Sequence, residues 1–418
     1  MKASTHGGFT APDHLLCIDE LGKRREIAIQ LESYIELNVS GFRLCAEDVS
    51  TILMAPIEHF ESGQVFSVHR FQRNGVTYYP PLAYYMKRHL EGIAPLCKHY
   101  LVHRGKENRI DPTPGQCVTK ISKPSPELQD HVPAKSETSE SDSESDPDMT
   151  FTWDTPIFRT NLKLDDHVRD REEEAKCLER DGKACVVLGT ENPRVSHIIP
   201  YTWNDTKEHN NTTGDIKMRA PGLFRLNING AASYVCNPHE LGGTDKVWNM
   251  MCLHPELHKL WAKGYCAFKH ICTEHCDEDK SKVTLQFRWM PQIKKRLGQE
   301  IDVRGTGPGS DWQQRIEELN AFHSQGNPPP APCQEALRHL TVFGDPLLSG
   351  QLIHIHMPTD DTKRFGEVID IQWACILFTA LVGAAGNPEL LSMNSGDKAM
   401  QWIQSQARWA DEHEHESD

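Results

Sequence analysis

Two stretches of the chain set imidazole, amide and carboxylate groups at intervals that chemistry can use. In "RVSHIIPYTWND" (Arg194 to Asp205), His197 interrupts an apolar run that breaks at Pro200. In "GGTDKVWNMMCLHPELHKLWAKG", Asp245, Asn249, His254 and His258 follow in close succession. An imidazole changes charge near neutral pH and serves as general base or metal ligand. Hydrolysis of a phosphodiester asks for such groups: a base for water, a cation on the phosphate, and stabilisation of the leaving oxygen. A lone histidine in an apolar strand is more often a satisfied core side chain. The companions of His197 therefore decide the matter.

The patterning around these residues says what must position them. "LDDHVRDREEEAKCLERDG" is a charged helix closed by Gly182, and two short strands, "ACVVLG" and "RVSHIIP", follow around the turn "TENP". Pro255 suits a first helical turn and Gly264 a stop, so His254 and His258, four apart, share one helix face beside Leu257, Leu260 and Trp261. Strands resume at "YCAFKH" and "VTLQFRWMP". Beyond them come a short helix between "GTGPGS" and "GNPPPAP", the strand "GQLIHIHMP", and a buried helix from Asp370 to Ala385. Before residue 132, "LGKRREIAIQLESYIEL" fits an amphipathic helix and "GQVFSVHRFQRNGVTYY" a hairpin about Asn74-Gly75. The Tyr-rich stretch "YYPPLAYYMKRHL" suits an aromatic core edge better than a base-stacking surface.

Composition bounds the classes of function. A chain of 418 residues exceeds one ordinary core, and a mean hydropathy of −0.56 describes a soluble protein with polar segments. The start lacks a basic stretch followed by an apolar one, and "WACILFTALVGAAG" is too short to span a bilayer. An intracellular protein, cytoplasmic or nuclear and not secreted, with no membrane partner, is expected. Thirteen cysteines at irregular spacing then read as reduced thiols. The net charge of −14 sits largely in "SETSESDSESDPD" (Ser136 to Asp148) and the tail "DEHEHESD", whereas Arg171 to Glu300 holds 19 Lys and Arg against 17 Asp and Glu. Charge thus neither excludes nor recommends a nucleic-acid partner.

The two motifs in this order resemble the HNH endonuclease family. Gly242, Gly243, Asp245, Asn249 and His258 fall at its GG-x-D-x-x-x-N…H positions, and "SHIIP" resembles its first motif. "CVVLG…SHIIPY" with "DKVWNMMCLHPELHKLW", "FRWMP" and "IDIQWACILFTALVGAAG" is similar to HNH-domain proteins of filamentous fungi. The resemblance covers roughly residues 170–390. It implies an endonuclease hydrolysing DNA, with His197 as general base and Asn249 orienting it. It also implies one divalent ion on His258, with Asp245 bracing the loop or completing the metal shell; Mg2+ is expected, with Mn2+, Ni2+ or Zn2+ as alternatives. The family's usual acid before the catalytic histidine is Ser196 here, a poorer ligand for Mg2+.

The expected fold is α+β: a ββα-metal HNH core with extra strands and helices, preceded by a separate mixed α/β N-terminal region. The divisions are residues 1–132, an acidic Ser-rich disordered linker at 133–150, an HNH nuclease-like domain at 151–300, a C-terminal α/β extension at 301–410, and an acidic tail at 411–418. No structural zinc is expected, because the family's paired cysteine positions hold Cys185 with Leu188 and His254 with Leu257. The cluster Cys266, His270, Cys272, His275 and Cys276 suits a surface loop. The alternative function is a catalytically silent HNH fold that binds nucleic acid or a protein.

Overall fold

A computed structural model describes residues 6–107, 165–219, 232–307, 309–337, 341–342 and 345–391. The expected linker at 133–150 and tail at 411–418 lie outside the described residues. The first part runs β1 (His6–Phe9), α1 (Leu21–Glu36), α2 (Ala46–Met54), the hairpin β2 (Phe71–Arg73) and β3 (Val76–Tyr78), α3 (Ala83–Glu91) and α4 (Ile93–Glu107). The middle holds α5 (Arg171–Arg180), β4 (Arg194–His197), α6 (Lys207–Arg219), the single turn α7 (Ala232–Val235), β5 (Met250–Leu253) and α8 (Pro255–Ala262). There follow β6 (Cys266–His275), β7 (Lys280–Trp289), α9 (Asp311–Ser324), α10 (Gln334–Leu337), the short pair β8 (Thr341–Val342) and β9 (Asp345–Pro346), β10 (Gln351–Pro358) and α11 (Thr359–Leu381). The fold is α+β, as expected. Among the described residues no helix is long and apolar enough to cross a membrane.

The largest sheet is antiparallel, in the order β1-β10-β7-β6. Strand β10 alternates as a half-covered strand must: Ile353, Ile355 and Met357 are buried, while His354 and His356 are half-buried. Helix α11 covers the inner face, with Phe365, Val368, Ile369, Cys375, Ile376 and Phe378 buried, and it touches β6, β7 and β10 as well as α2 and α4. The described part of the region expected to stand apart, residues 6–107, contributes β1 to this sheet and α4 to the packing against α6, α8 and α11. Tyr100 on α4 donates from its hydroxyl to the Ile198 carbonyl at 3.0 Å, directly after β4.

Two expected elements differ. "ACVVLG" forms a tight turn rather than a strand: Gly189 N–H bonds the Cys185 carbonyl (2.8 Å) and Leu188 N–H points at Cys185 Sγ (3.4 Å), while Val186 N–H reaches the Cys252 carbonyl on β5 (2.9 Å). The sulfur-rich stretch after Cys266 is not a loop. Residues 266–275 form β6, whose long pairing with β7 satisfies its backbone.

Buried polar side chains lock the layers together. The Gln372 side chain on α11 accepts from Trp261 Nε1–H at 3.0 Å and donates to the Phe268 carbonyl, joining α11, α8 and β6. One amide thus meets the polar needs of three elements, as burial requires.

Candidate active site

Strands β4 and β5 pair antiparallel, with Ser196 opposite Met251 and His197 opposite Met250, and α8 follows β5 after one residue. This is a ββα unit. Helix α5 holds its outer edge. Asp170 caps α5 by accepting from Glu172 and Glu173 N–H (3.0 and 3.2 Å). Arg180 at its far end donates to the carbonyls of Val247 (3.0 Å) and Met250 (2.7 Å) and pairs with Asp181.

His197 is only 1% exposed, and its Nε2 lies 2.8 Å from Asp245 Oδ1. The other oxygen, Asp245 Oδ2, faces His167 Nε2 (2.9 Å) and accepts the Asp170 backbone N–H (2.6 Å). Burial alone would raise the Asp245 pKa. The hydrogen bond and charge of His197, with the Asp170 and His167 bonds, outweigh it and hold the carboxyl at about 2. Asp245 is therefore ionised at neutral pH. Asn249 spends its side chain on the backbone: Oδ1 accepts Ile199 N–H (2.9 Å), and Nδ2 donates to the carbonyls of Ile199 and Thr244 (2.7 Å each). It clamps the loop carrying Asp245 to the end of β4. The preceding glycines are needed for the same closure. Gly242 has φ +76°, and a Cβ there would strike the His167 ring; a Cβ on Gly243 would sit 2.6 Å from the Tyr234 carbonyl oxygen.

Residues 185–269 match the family model described as HNH endonuclease. The chain carries an HNH domain. Neither a curated protein nor a solved structure matches the chain.

Within the HNH domain, the structure hydrogen-bonds His197 to Asp245, and Asn249 ties the backbone beside each of them together through Ile199 and Thr244. His258 lies on α8, 1% exposed, its ring 6.2 Å from that of Trp261. His254 caps α8, its Nδ1 accepting Glu256 N–H at 3.3 Å. Ser196 is buried, with its hydroxyl donating toward the Arg194 carbonyl at 3.4 Å; strand alternation sends it to the face opposite His197. The residue missed in sequence is His167. It reaches Asp245 across 78 positions and carries no local motif, so spacing had no means of finding it.

A divalent ion fits this arrangement in one respect only. His258 supplies an imidazole, but the carboxylate expected beside it is occupied by two imidazoles and an amide. Such a donor set suits Mn2+, Ni2+ or Zn2+ better than Mg2+, which wants carboxylate oxygen. The three-residue group with ligand atoms close enough to share a metal is Cys177, Asp181 and Cys252, among the described residues. There the Arg180 guanidinium already stands 3.0 Å from Asp181 Oδ2 and 3.5 Å from Cys177 Sγ. The group works as an ionic clamp between α5 and β5.

Proposed function

We propose that the chain is an HNH-type endonuclease that hydrolyses phosphodiester bonds of DNA, with His197 as general base. The observation that supports this best is the 2.8 Å contact between His197 Nε2 and an ionised Asp245 inside a ββα unit. An acceptor of full negative charge at Nε2 favours the tautomer protonated there and makes Nδ1 the basic nitrogen. His197 then takes a proton from water at Nδ1 while Asp245 steadies the imidazolium that forms. Asn249 keeps Asp245 in reach by pinning its loop. His258 would hold a divalent ion, which when bound neutralises charge on the phosphate.

The test is cleavage of supercoiled plasmid by the full chain with Mn2+, Ni2+, Zn2+ or Mg2+ in turn, beside His197→Ala. The expected loss in rate for the variant is about 10²- to 10⁴-fold, with metal affinity retained. His258→Ala should lower metal affinity and cleavage together. A second reading has a specific observation in its favour: His197 and His258 are each 1% exposed, as in a fold that only binds. Wild-type cleavage no faster than His197→Ala with every ion would establish that reading instead.

A further inference from the structure

The hairpin of β2 and β3 is built unlike the rest of the molecule. The residues from Gln72 to Tyr79 are all exposed, and four carry side chains that folding normally hides or neutralises: Arg73, Val76 (54% exposed), Tyr78 (44%) and Tyr79 (67%). This is not a loose loop. Asn74 (φ +53°) and Gly75 (φ +76°) form a two-residue turn of left-handed conformation that matches the twist of the ribbon. At its base, Phe71 stacks on Tyr78 with centroids 4.7 Å apart and planes 12° from parallel. Gly63 lets the neighbouring loop approach the Phe71 ring, where a Cβ would come within 2.9 Å. Pro80 and Pro81 then run stiffly into α3, which Ala83, Met86 and Leu90 anchor in the core. The aromatic edge read from the sequence is therefore turned outward.

Charge indicates the occupant. From Val68 to Leu90 the chain has Arg70, Arg73, Lys87 and Arg88 and no Asp or Glu, in a protein whose net charge is −14. Lys87 is taken by Glu91 on α3. The Arg70 guanidinium lies over the Tyr79 ring, 4.8 Å from its centroid, which sets a cation beside an aromatic face. An acidic peptide would answer the cations but not the open aromatic faces. A polyanion bearing planar groups answers both features at once.

We propose that this ribbon binds single-stranded nucleic acid. An unpaired base extends the Phe71–Tyr78 stack or covers the outer part of Tyr79, and Arg73 at the tip meets the backbone phosphate. Three exposed aromatic and apolar residues, Val76, Tyr78 and Tyr79, beside Arg73 at the tip favour stacking over a purely ionic grip, and bases within a duplex offer no open face. The inference does not depend on catalysis by the HNH domain.

Binding of the full chain to a labelled oligothymidylate, read by fluorescence anisotropy in chelator so that no cleavage intervenes, tests it. Tyr78→Ala with Tyr79→Ala should weaken binding by about tenfold or more, and Tyr78→Phe with Tyr79→Phe should restore it. Arg73→Ala should reduce the salt slope of log K by about 0.7. Because chelator stops cleavage, a loss of binding confined to the Tyr78, Tyr79 and Arg73 variants is read apart from any failure of the nuclease reading. Thermal melting of each variant shows that the exposed hairpin was altered without loss of fold. Absence of wild-type binding, equal affinity of the Ala variants, or displacement by a matched duplex as effective as by the single strand would each overturn the proposal.

Discussion

Asp245 in the HNH domain and Asp48 in the N-terminal helices are the same side chain at the same depth, and they behave oppositely. Both are essentially inaccessible. Asp245 meets two imidazoles and a backbone N–H, and its pKa falls to about 2. Asp48 caps α2 with one oxygen, Oδ2, which takes Cys45 N–H (2.9 Å) and Cys45 Sγ (3.1 Å). Its other oxygen has no hydrogen-bond partner among the described residues. Burial pushes its pKa up to about 6; the Cys45 bonds pull against this, and Glu91 and Glu47 add to it. Burial sets the cost, and the donors decide whether a carboxylate survives it as a charge. Asp245 keeps its charge to a far lower pH than Asp48, and of the two it is the one that holds an imidazole in orientation.

The sharpest way to break this contrast is Asp245→Asn. It removes the charge and offers an N–H to a histidine that already donates, so the favoured His197 tautomer is lost. Cleavage should fall by about 10²- to 10⁴-fold, with roughly 1–3 kcal/mol of stability lost. A pH–rate profile shifted along with the rate, at an unchanged circular dichroism spectrum, identifies an effect on the base rather than on the fold. Ser196→Asp adds a further buried carboxylate, this time facing a carbonyl at 3.4 Å instead of a donor. It should destabilise the chain by roughly 1–3 kcal/mol and raise no activity with Mg2+, as melting and a metal titration would show.

Acid and base limbs of the stability curve sharpen the comparison further. Asp245, with its folded pKa below the ordinary 3.8, contributes stability that is present above pH 3.8 and lost as pH falls toward about 2. The loss is on the order of 2 kcal/mol, and Asp245→Asn should abolish that part of the slope. Asp48, with its folded pKa above 3.8, costs stability as pH rises from there through about 6. Asp48→Asn should flatten this second limb and cost less at pH 7 than at pH 4, the smallest of the expected effects. Denaturant midpoints across pH 2–8 measure both.

The site was legible in sequence as far as it depends on spacing. His197, Asn249 and His258 sit on consecutive elements, and their intervals reflect the strand, loop and helix that carry them. Asp245 was found but its use was not: whether a carboxylate faces a metal or a histidine depends on what packs behind it, and His167 arrives from a separate segment. The alternation of "GQLIHIHMP" and the Asn74-Gly75 turn were readable because both are local. Cys185 to Gly189 misled because an apolar run looks the same in a buried turn as in a strand. The outward Tyr78 and Tyr79 were missed for the converse reason, since aromatic content does not say which side of it is covered.

The pairing of β1 with β10 has a consequence for how the molecule is made. His6 finds its partner, Ile353, only after nearly all of the described chain has left the ribosome, a wait on the order of tens of seconds at ordinary rates of synthesis. Through that interval the first strand is an unpaired template beside a growing chain. Its sequence, HGGF, is poor in the residues that pair readily, and Gly8 at φ +58° interrupts the ladder even in the finished sheet. A weak first strand resists premature partners until β10, which β7 pairs on its other edge, is in place to receive it.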